Sequence, residues 1–217
     1  TSPNGPFDFR LELFNAGNVP MRDIVIVEIL PHLGDRGVID RQPRETQWVP
    51  ELIAEVFVST GGVTVSYSTE TNPCRPTVVP SGPVGCANPN WNTTPPADLS
   101  TVQSIRFELC CTIDPGERFE IIIPMRAPDN AQPGDTAWNS FGFIATRDDI
   151  GTSLLATEPF KVGITTFARS LEGVKTLIAV NDNDTTFTYE LVWLNNGNNF
   201  PVDAQIFDAL PPEVEFM

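Results

Sequence analysis

Short runs of β-branched and aromatic residues recur along the chain, and several alternate between apolar and polar positions, as in Arg106-Phe107-Glu108-Leu109. An alternation with a period of two places the apolar side chains on one face of a strand and leaves the other face in water. The pattern predicts strands at residues 7–14, 23–30, 53–59, 63–68, 104–113, 119–125, 137–146, 160–166, 186–194 and 204–210.

Proline and glycine separate these runs at the positions that β-turns require. Residues 114–117 read Asp-Pro-Gly-Glu, and residues 132–135 read Gln-Pro-Gly-Asp. Proline fixes φ early in a turn, and glycine tolerates the positive φ that follows. Helical spacing is almost absent. The pattern therefore predicts an all-β fold, an antiparallel β-sandwich.

One stretch of the sequence recurs 180 residues further on, without a gap. Residues 11–18 read LELFNAGN and residues 191–198 read LVWLNNGN, and a Leu-Pro pair follows each copy at the same distance. The shared order of strand, Asn-x-Gly-Asn turn, strand and Leu-Pro indicates a repeated module. We therefore predict one module at 1–166 and the opening strands of a second, incomplete module at 167–217.

The turn at 195–198, followed by residues 203–211, resembles the conserved-repeat Ig-like domain of bacterial and archaeal surface proteins, a family catalogued as a domain of unknown function. The first module carries the family's Pro-Gly turns and a late strand with an early Asn139. The resemblance covers about 1–31, 101–165 and 171–217 and fails over about 32–100, which we interpret as an insertion. It implies an Ig-like sandwich that serves as a stalk or interaction module.

Composition narrows the class of partner. Thirteen Lys and Arg stand against 28 Asp and Glu, for a formal net charge of −15, which disfavours nucleic acid and anionic membrane surfaces. No apolar run reaches the about 18 residues of a membrane-spanning helix. We expect protein partners, either neighbouring repeats or another copy of the chain, with a glycan as the alternative.

The four cysteines favour an extracellular or cell-surface location. Cys74 and Cys86 bracket a proline-rich part of the insertion, and we predict a disulfide between them. Cys110 and Cys111 are adjacent, so in a strand they would point to opposite faces and a bond between them would be strained. A bridge from the insertion to this strand, or four reduced buried thiols, are the alternatives.

The sequence does not indicate an enzyme or an organic cofactor. His32 is the only histidine, and neither a Gly-x-Ser-x-Gly elbow nor a phosphate-binding glycine loop is present. Calcium is the one cofactor that the composition suggests, because hard cations need several converging oxygen ligands. Two clusters offer them, with acidic members Asp182, Asp184, Asp148 and Asp149; turns without metal are the alternative.

A covalent crosslink is a further hypothesis. Residues 174–180 are predicted as the first strand of the second module, and Lys175 lies at its start. Asp208 lies on the apolar side of a later strand. Glu28 is the counterpart of Asp208 in the first module, where Asn139 lies on a late strand. The set resembles the Lys–Asn isopeptide bonds of bacterial surface Ig-like domains, in which a buried acid promotes amide formation. An acid that hydrogen-bonds a backbone turn is the alternative.

Two tryptophans, Trp48 and Trp91, belong to the insertion. An exposed tryptophan can stack on a sugar or anchor a protein contact, whereas a small core under the insertion would bury it. We therefore expect a structural and adhesive repeat module of a microbial surface protein. A fibre subunit that assembles by strand complementation is one alternative, and an adhesin that binds glycan or host protein through 32–100 is another.

Overall fold

The computed structural model describes residues 1–167, 171–180, 186–195 and 204–209. The chain divides into two compact units, Thr1–Thr166 and Phe167–Met217. In the described part, the helical structure is one 3-10 turn at Leu99–Thr101, and no helix there is long and apolar enough to cross a membrane. The prediction of an all-β fold with antiparallel sheets is confirmed.

The strands of the first unit are short and regular. They are β1 (Pro6–Phe14), β2 (Met21–Ile29), β3 (Glu51–Leu52), β4 (Phe57–Val58), β5 (Val63–Ser68), β6 (Ser104–Leu109), β7 (Arg118–Arg126), β8 (Thr136–Asn139), β9 (Phe141–Arg147) and β10 (Val162–Thr165). The second unit contains β11 (Leu171–Val180) and β12 (Phe187–Asn195).

Two four-stranded antiparallel sheets make up the body of the first unit. In one, β7 pairs with β1 along its whole length and with β3 and β4 on its other side. The other has the order β5-β6-β2-β9, and a separate pair joins β8 to β10. Consecutive strands β1 and β2 therefore belong to different sheets, as a sandwich requires.

The apolar side chains of both sheets form one core cluster. Strand β7 alternates between exposed and buried positions along its length, as the sequence pattern predicts. Burial of each large apolar side chain contributes about 1.5–3 kcal/mol. Central members of the cluster are Phe9, Leu11, Ile24, Ile26, Ile105, Phe107, Ile121 and Ile123.

The insertion at 32–100 adds strands to both sheets. Strands β3 and β4 extend the sheet of β7, and β5 forms an edge of the other sheet beside β6. A second, smaller core joins Val38 and Val78 of the insertion to Val27 and Ile29 of β2. The insertion is thus part of the sandwich rather than a separate lobe.

The strand predicted at 53–59 is wrong in its extent, because the pairing with β7 breaks there. Pro124 of β7 accepts a hydrogen bond from the Ile53 N–H but has no N–H of its own to donate. The ladder stops after Leu52 and resumes at Phe57. A single proline in the partner strand therefore divides one predicted strand into β3 and β4.

The strand predicted at 137–146 divides at Ser140, where the chain leaves one sheet for another. Strand β8 pairs with β10, whereas β9 pairs with β2. The predicted strand at 104–113 ends earlier, at Leu109, and the described residues 204–209 do not form a strand. These differences arise from tertiary pairing, which local alternation does not record.

In the second unit, β11 and β12 form an antiparallel hairpin in which Lys175 lies opposite Leu191. Strand β12 begins at the repeat counterpart of Phe7 in β1. Its side chains are exposed along the whole strand, and those of β11 are exposed from Glu172 to Val180. The hairpin strands have the apolar alternation of core strands. Among the described residues, however, no second sheet covers the hairpin.

Candidate functional site

Glu28 and Asn139 lie together in the interior of the first unit. Glu28 is 0% exposed on β2, and Asn139 is 3% exposed at the end of β8. Burial raises the pKa of Glu28 to about 8, and Arg44 and Asn139 offset part of that effect. Neither Glu28 carboxyl oxygen has a hydrogen-bond partner of standard geometry among the described residues. Glu28 is therefore held mainly as the neutral acid at pH 7.

Arg44, from the insertion, supplies the nearest positive charge to Glu28. Its guanidinium is buried and donates to the Ile29 carbonyl at 2.7 Å, to the Ser140 carbonyl at 2.7 Å and to Ser140 Oγ at 3.1 Å. A buried Asp35 carboxylate lies 3.4 Å from Arg44 Nη1. Arg44 thus fixes the base of the insertion to β2 and to the junction of β8 and β9.

Glu158, in the segment between β9 and β10, also holds the first part of the insertion in place. Its carboxylate accepts hydrogen bonds from three consecutive backbone N–H groups, those of Val38 at 2.8 Å, Ile39 at 2.6 Å and Asp40 at 3.0 Å. Ser140 Oγ donates a fourth at 2.5 Å. Sequence patterns missed Arg44 and Glu158, because nothing in their spacing marks Arg44 as buried or Glu158 as an acceptor for distant backbone N–H groups.

Lys175 and Asp208 are brought together in the second unit. Lys175 Nζ lies 2.8 and 2.9 Å from the two carboxylate oxygens of Asp208, and 4.4 Å from the ring centre of Tyr189. The lysine therefore lies on the face that carries Tyr189 and Leu191, which the repeat predicts to be the core face. Each unit thus contains part of the predicted crosslinking set: a lysine with an acid here, and Glu28 with Asn139 in the first unit.

The remaining lysine does not complete the set in the first unit. Lys161 Nζ donates to the Arg44 carbonyl at 2.6 Å and lies 4.8 Å from the ring centre of Trp138. Trp138 and Asn139 are consecutive in β8, so their side chains leave the strand on opposite faces. Lys161 therefore approaches the face of β8 opposite Asn139.

One of the two cysteine pairs forms a disulfide. Cys74 and Cys86 are bonded, with their Cα atoms 4.9 Å apart, which confirms the predicted bridge. Cys110 and Cys111 are exposed free thiols, and the described structure contains no bridge from the insertion to them. They follow the end of β6, so the expectation that they point to opposite faces of a strand is wrong.

The acidic clusters do not form a metal site in the described part of the chain. Asp148 lies 3.0 Å from Arg22 Nε, and Asp149 pairs with Arg147 at 2.7 Å, which lowers the pKa of Asp149. Asp182 and Asp184 lie outside the described residues. Within those residues, no three His, Cys, Asp or Glu side chains converge on a point where an ion could bind.

The two tryptophans of the insertion have different surroundings. Trp48 is 4% exposed, donates from Nε1 to the Asp135 carbonyl at 3.1 Å and packs edge-on against Phe7. It is part of a small core and is not a surface contact, which corrects its candidacy as a binding residue. Trp91 is half-buried, and the asparagines beside it line a depression of about 190 Å³ together with Tyr67.

Comparison with known proteins leaves this description unchanged. No protein-family model matches the chain, and no curated protein matches it. The structure defines an all-β protein of antiparallel sheets with one disulfide. The choice among functions therefore depends on geometry.

Proposed function

We propose that this chain is a structural and adhesive repeat module of a secreted or cell-surface microbial protein, where it acts as a stalk or interaction domain. The observation that carries the proposal is the β11–β12 hairpin. A two-stranded hairpin is marginally stable in water, and a large exposed apolar patch marks a contact surface. The large apolar side chains at least 38% exposed in it are Val174, Leu177, Ile178, Val180, Phe187, Tyr189, Leu191, Val192, Trp193 and Leu194.

The repeat indicates what would cover this hairpin. In β1, Phe9 and Leu11 are buried against the opposite sheet, at 2% and 3% exposure. Their counterparts Tyr189 and Leu191 are 43% and 41% exposed. A surface with the alternation of a sandwich core is best covered by another sheet. The partner that we propose is therefore a β-module of the same kind, in a neighbouring repeat or in another copy of the chain.

Two properties support an extracellular setting. The Cys74–Cys86 disulfide requires an oxidising compartment to persist. The net charge of −15 keeps such a surface soluble and disfavours nucleic acid as a partner. For the fold family we propose the conserved-repeat Ig-like domain, on the Asn-x-Gly-Asn turn and the Leu-Pro pair that both copies share.

Sedimentation equilibrium on the full chain tests the hairpin as a contact surface. Leu191→Lys introduces a charge on the face that carries Tyr189 and Trp193, and Thr188→Lys introduces the same charge on the other face of β12. If another copy covers the core-like face, wild type associates and Leu191→Lys weakens association at least about tenfold, or about 1.4 kcal/mol. Thr188→Lys should leave the association constant unchanged.

Amide hydrogen exchange of residues 171–195 separates the remaining outcomes. A monomer with rapid exchange favours a neighbouring repeat as the cover, because the hairpin is then unsupported in this chain. A monomer with slow exchange across the hairpin would overturn the proposal. Equal weakening by both lysine variants would show that charge, rather than the core-like face, governs association.

A Lys–Asn crosslink would stiffen such a module. Each of the two units contains a different part of the residue set that the crosslink needs. In the first unit, the neutral acid Glu28 lies beside Asn139, and in the second, Lys175 lies beside the Glu28 counterpart. In the reaction, the neutral amine attacks the side-chain carbonyl of asparagine, an amide bond forms, and ammonia leaves. The buried acid shuttles the proton from the amine to the leaving group.

Addition of a peptide with the sequence of residues 171–180 to the full chain tests this chemistry. The expected product is an adduct with the summed mass minus one ammonia, mapped to Asn139. Asn139→Ala and Glu28→Gln should abolish the adduct, and a peptide with arginine in place of Lys175 should not react. Wild-type chain without an adduct would contradict the crosslink while leaving the stalk proposal intact.

Glycan binding by the insertion is a second candidate, supported by the depression beside Trp91. Its lining includes Tyr67, Asn90, Asn92 and Thr94, an aromatic and polar mixture that suits a sugar. Asn90 has a φ of +46°, in the left-handed region that favours glycine, so Asn90→Gly removes the side-chain amide without adding backbone strain. On a glycan array, this variant should lose signals that wild type shows; an array without any wild-type signal would exclude the candidate.

A further inference from the structure

Cys110 and Cys111 lie in the link between β6 and the turn that precedes β7. Both side chains are exposed, and their Sγ atoms are 3.1 Å apart. A disulfide bond is about 2.05 Å long, so the two sulfur atoms need to move together by only about 1 Å to bond. The two thiols are therefore held in a geometry close to that of the bonded pair.

Gly62, immediately before β5, makes room for these sulfur atoms. The Cys110 N–H donates to the Gly62 carbonyl at 2.9 Å, which brings the two segments together. A Cβ atom at position 62 would clash with Cys110 Sγ and would lie 3.0 Å from Cys111 Sγ. Gly62 also has a φ of +77°, which favours glycine. The backbone here thus accommodates both sulfurs at once.

The pair is open to reagents from solution. Cys111 and Gly62 line a depression of about 220 Å³, together with Arg118 and Phe119. The hydrogen bond with Cys110 raises the pKa of the Cys111 thiol. A raised pKa leaves less of Cys111 as the reactive thiolate.

We propose that Cys110 and Cys111 form a reversible vicinal disulfide, a redox site distinct from the Cys74–Cys86 bridge, with a low-molecular-weight disulfide as its oxidant. The Cys110 thiolate attacks the external disulfide and releases one small thiol. Cys111 then loses its proton and attacks the mixed disulfide, which releases the second small thiol. Two electrons pass to the external disulfide, and both cysteine protons leave with the products or to water.

Adjacency makes this bond labile. Consecutive Cα atoms are about 3.8 Å apart, below the about 4.4–6.8 Å usual for disulfides, so the ring formed is strained. Strained and exposed disulfides are the readily reduced ones. The Cys74–Cys86 pair, with Cα atoms 4.9 Å apart, lies within the usual range and remains bonded under the same conditions. One pair is therefore structural and the other is switchable.

Intact-mass measurement of the full chain in glutathione buffers tests the proposal. After alkylation, wild type should carry two labels in reduced glutathione and none in oxidised glutathione, without a retained glutathione adduct. Cys111→Ser lacks the second thiol and should retain one glutathione on Cys110. Wild type that keeps glutathione adducts, keeps two free thiols throughout, or forms dimers linked through these cysteines would overturn the proposal.

Gly62→Ala tests the geometric argument, with Gly116→Ala as its matched control. Gly116 has a similar φ of +84°, but an added Cβ there meets nothing within 4 Å. Both variants therefore carry the backbone strain, and only Gly62→Ala displaces the sulfurs. The dithiol–disulfide equilibrium should shift at least about tenfold in Gly62→Ala relative to the control. Equal equilibria in the two variants would show that Gly62 does not position the pair.

Discussion

The Glu158 carboxylate accepts a 2.6 Å hydrogen bond from the backbone N–H of Ile39, across 119 residues of sequence. The neighbouring N–H groups of Val38 and Asp40 donate to the same carboxylate. This contact holds the first turn of the insertion against the segment between β9 and β10. A carboxylate that accepts from three backbone N–H groups is a strong anchor, because all three donors are satisfied within the protein and none depends on water as its partner.

Glu158→Gln should therefore destabilise the first unit by about 2 kcal/mol, since the amide presents one acceptor oxygen in place of two charged ones. Urea unfolding measures the loss, and hydrogen exchange at residues 38–40 should accelerate. Glu12→Gln, on the exposed face of β1, is the control and should change stability by less than about 0.5 kcal/mol. Equal effects of the two substitutions would contradict the anchor.

The buried Glu28 makes stability depend on pH in a defined direction. Burial raises its pKa from 4.5 in the unfolded chain to about 8 in the fold. Below pH 4.5 both states hold the proton and there is no penalty. Between these values only the unfolded state loses it, so stability decreases as pH rises, by up to about 5 kcal/mol.

Glu28→Gln keeps the shape of the side chain and removes the titration. Compared with wild type, the variant should be little changed at pH 4 and more stable at pH 8, with the difference growing between those limits. Unfolding free energies measured across that range give the difference directly. A difference that is constant with pH would show that Glu28 does not titrate in the predicted interval.

Asn15, in the repeated Asn-x-Gly-Asn turn, braces the crossing from β1 to β2. Its buried amide donates to the carbonyls of Val19 and Ile113, each at 2.9 Å. Asn15→Ala leaves these carbonyls without donors and should cost about 2 kcal/mol. Asn18→Ala, an exposed asparagine of the same turn, should cost little. Thermal unfolding of the two variants side by side distinguishes a structural turn residue from a merely polar one.

Removal of the disulfide should loosen the insertion without unfolding the sandwich. Cys74→Ser with Cys86→Ser should lower the free energy of unfolding by about 3 kcal/mol, the expectation for a loop of this length. Exchange should rise within residues 74–86 more than in β7. The double variant at Cys110 and Cys111 is the control, since a bond between two adjacent residues constrains no longer stretch of chain. A local exchange pattern identical to wild type would contradict this prediction.

Local alternation predicted the strands well where both partners are regular. Strands β1, β2, β7 and β12 lie within two residues of their predicted bounds. The prediction was wrong where a partner strand decides the outcome: Pro124 divides the strand opposite it, and Ser140 is the point at which the chain changes sheets. Neither effect has a local signal, because each depends on which strand lies alongside.

The candidate site was predictable only in part. Strand periodicity and the resemblance to isopeptide-containing domains predict Glu28 and Asn139 as site residues, and the structure places them together. Arg44, the positive charge beside them, comes from an insertion that no repeat or periodicity describes. The burial of Trp48 has no local signal, because it depends on Phe7 and on the backbone at Asp135, which are both distant in sequence. Trp48 was therefore a candidate surface residue.

The insertion supplies an edge strand to each of the two four-stranded sheets. This determines where residues can be removed from the protein or added to it. Excision of 32–100 would leave β6 and β7 with bare hydrogen-bonding groups, so the segment cannot be trimmed like an ordinary surface loop. Its outermost turn is different. Val84 is 81% exposed between the two disulfide-linked cysteines, and foreign peptides grafted there would be displayed on a closed, pinned ring.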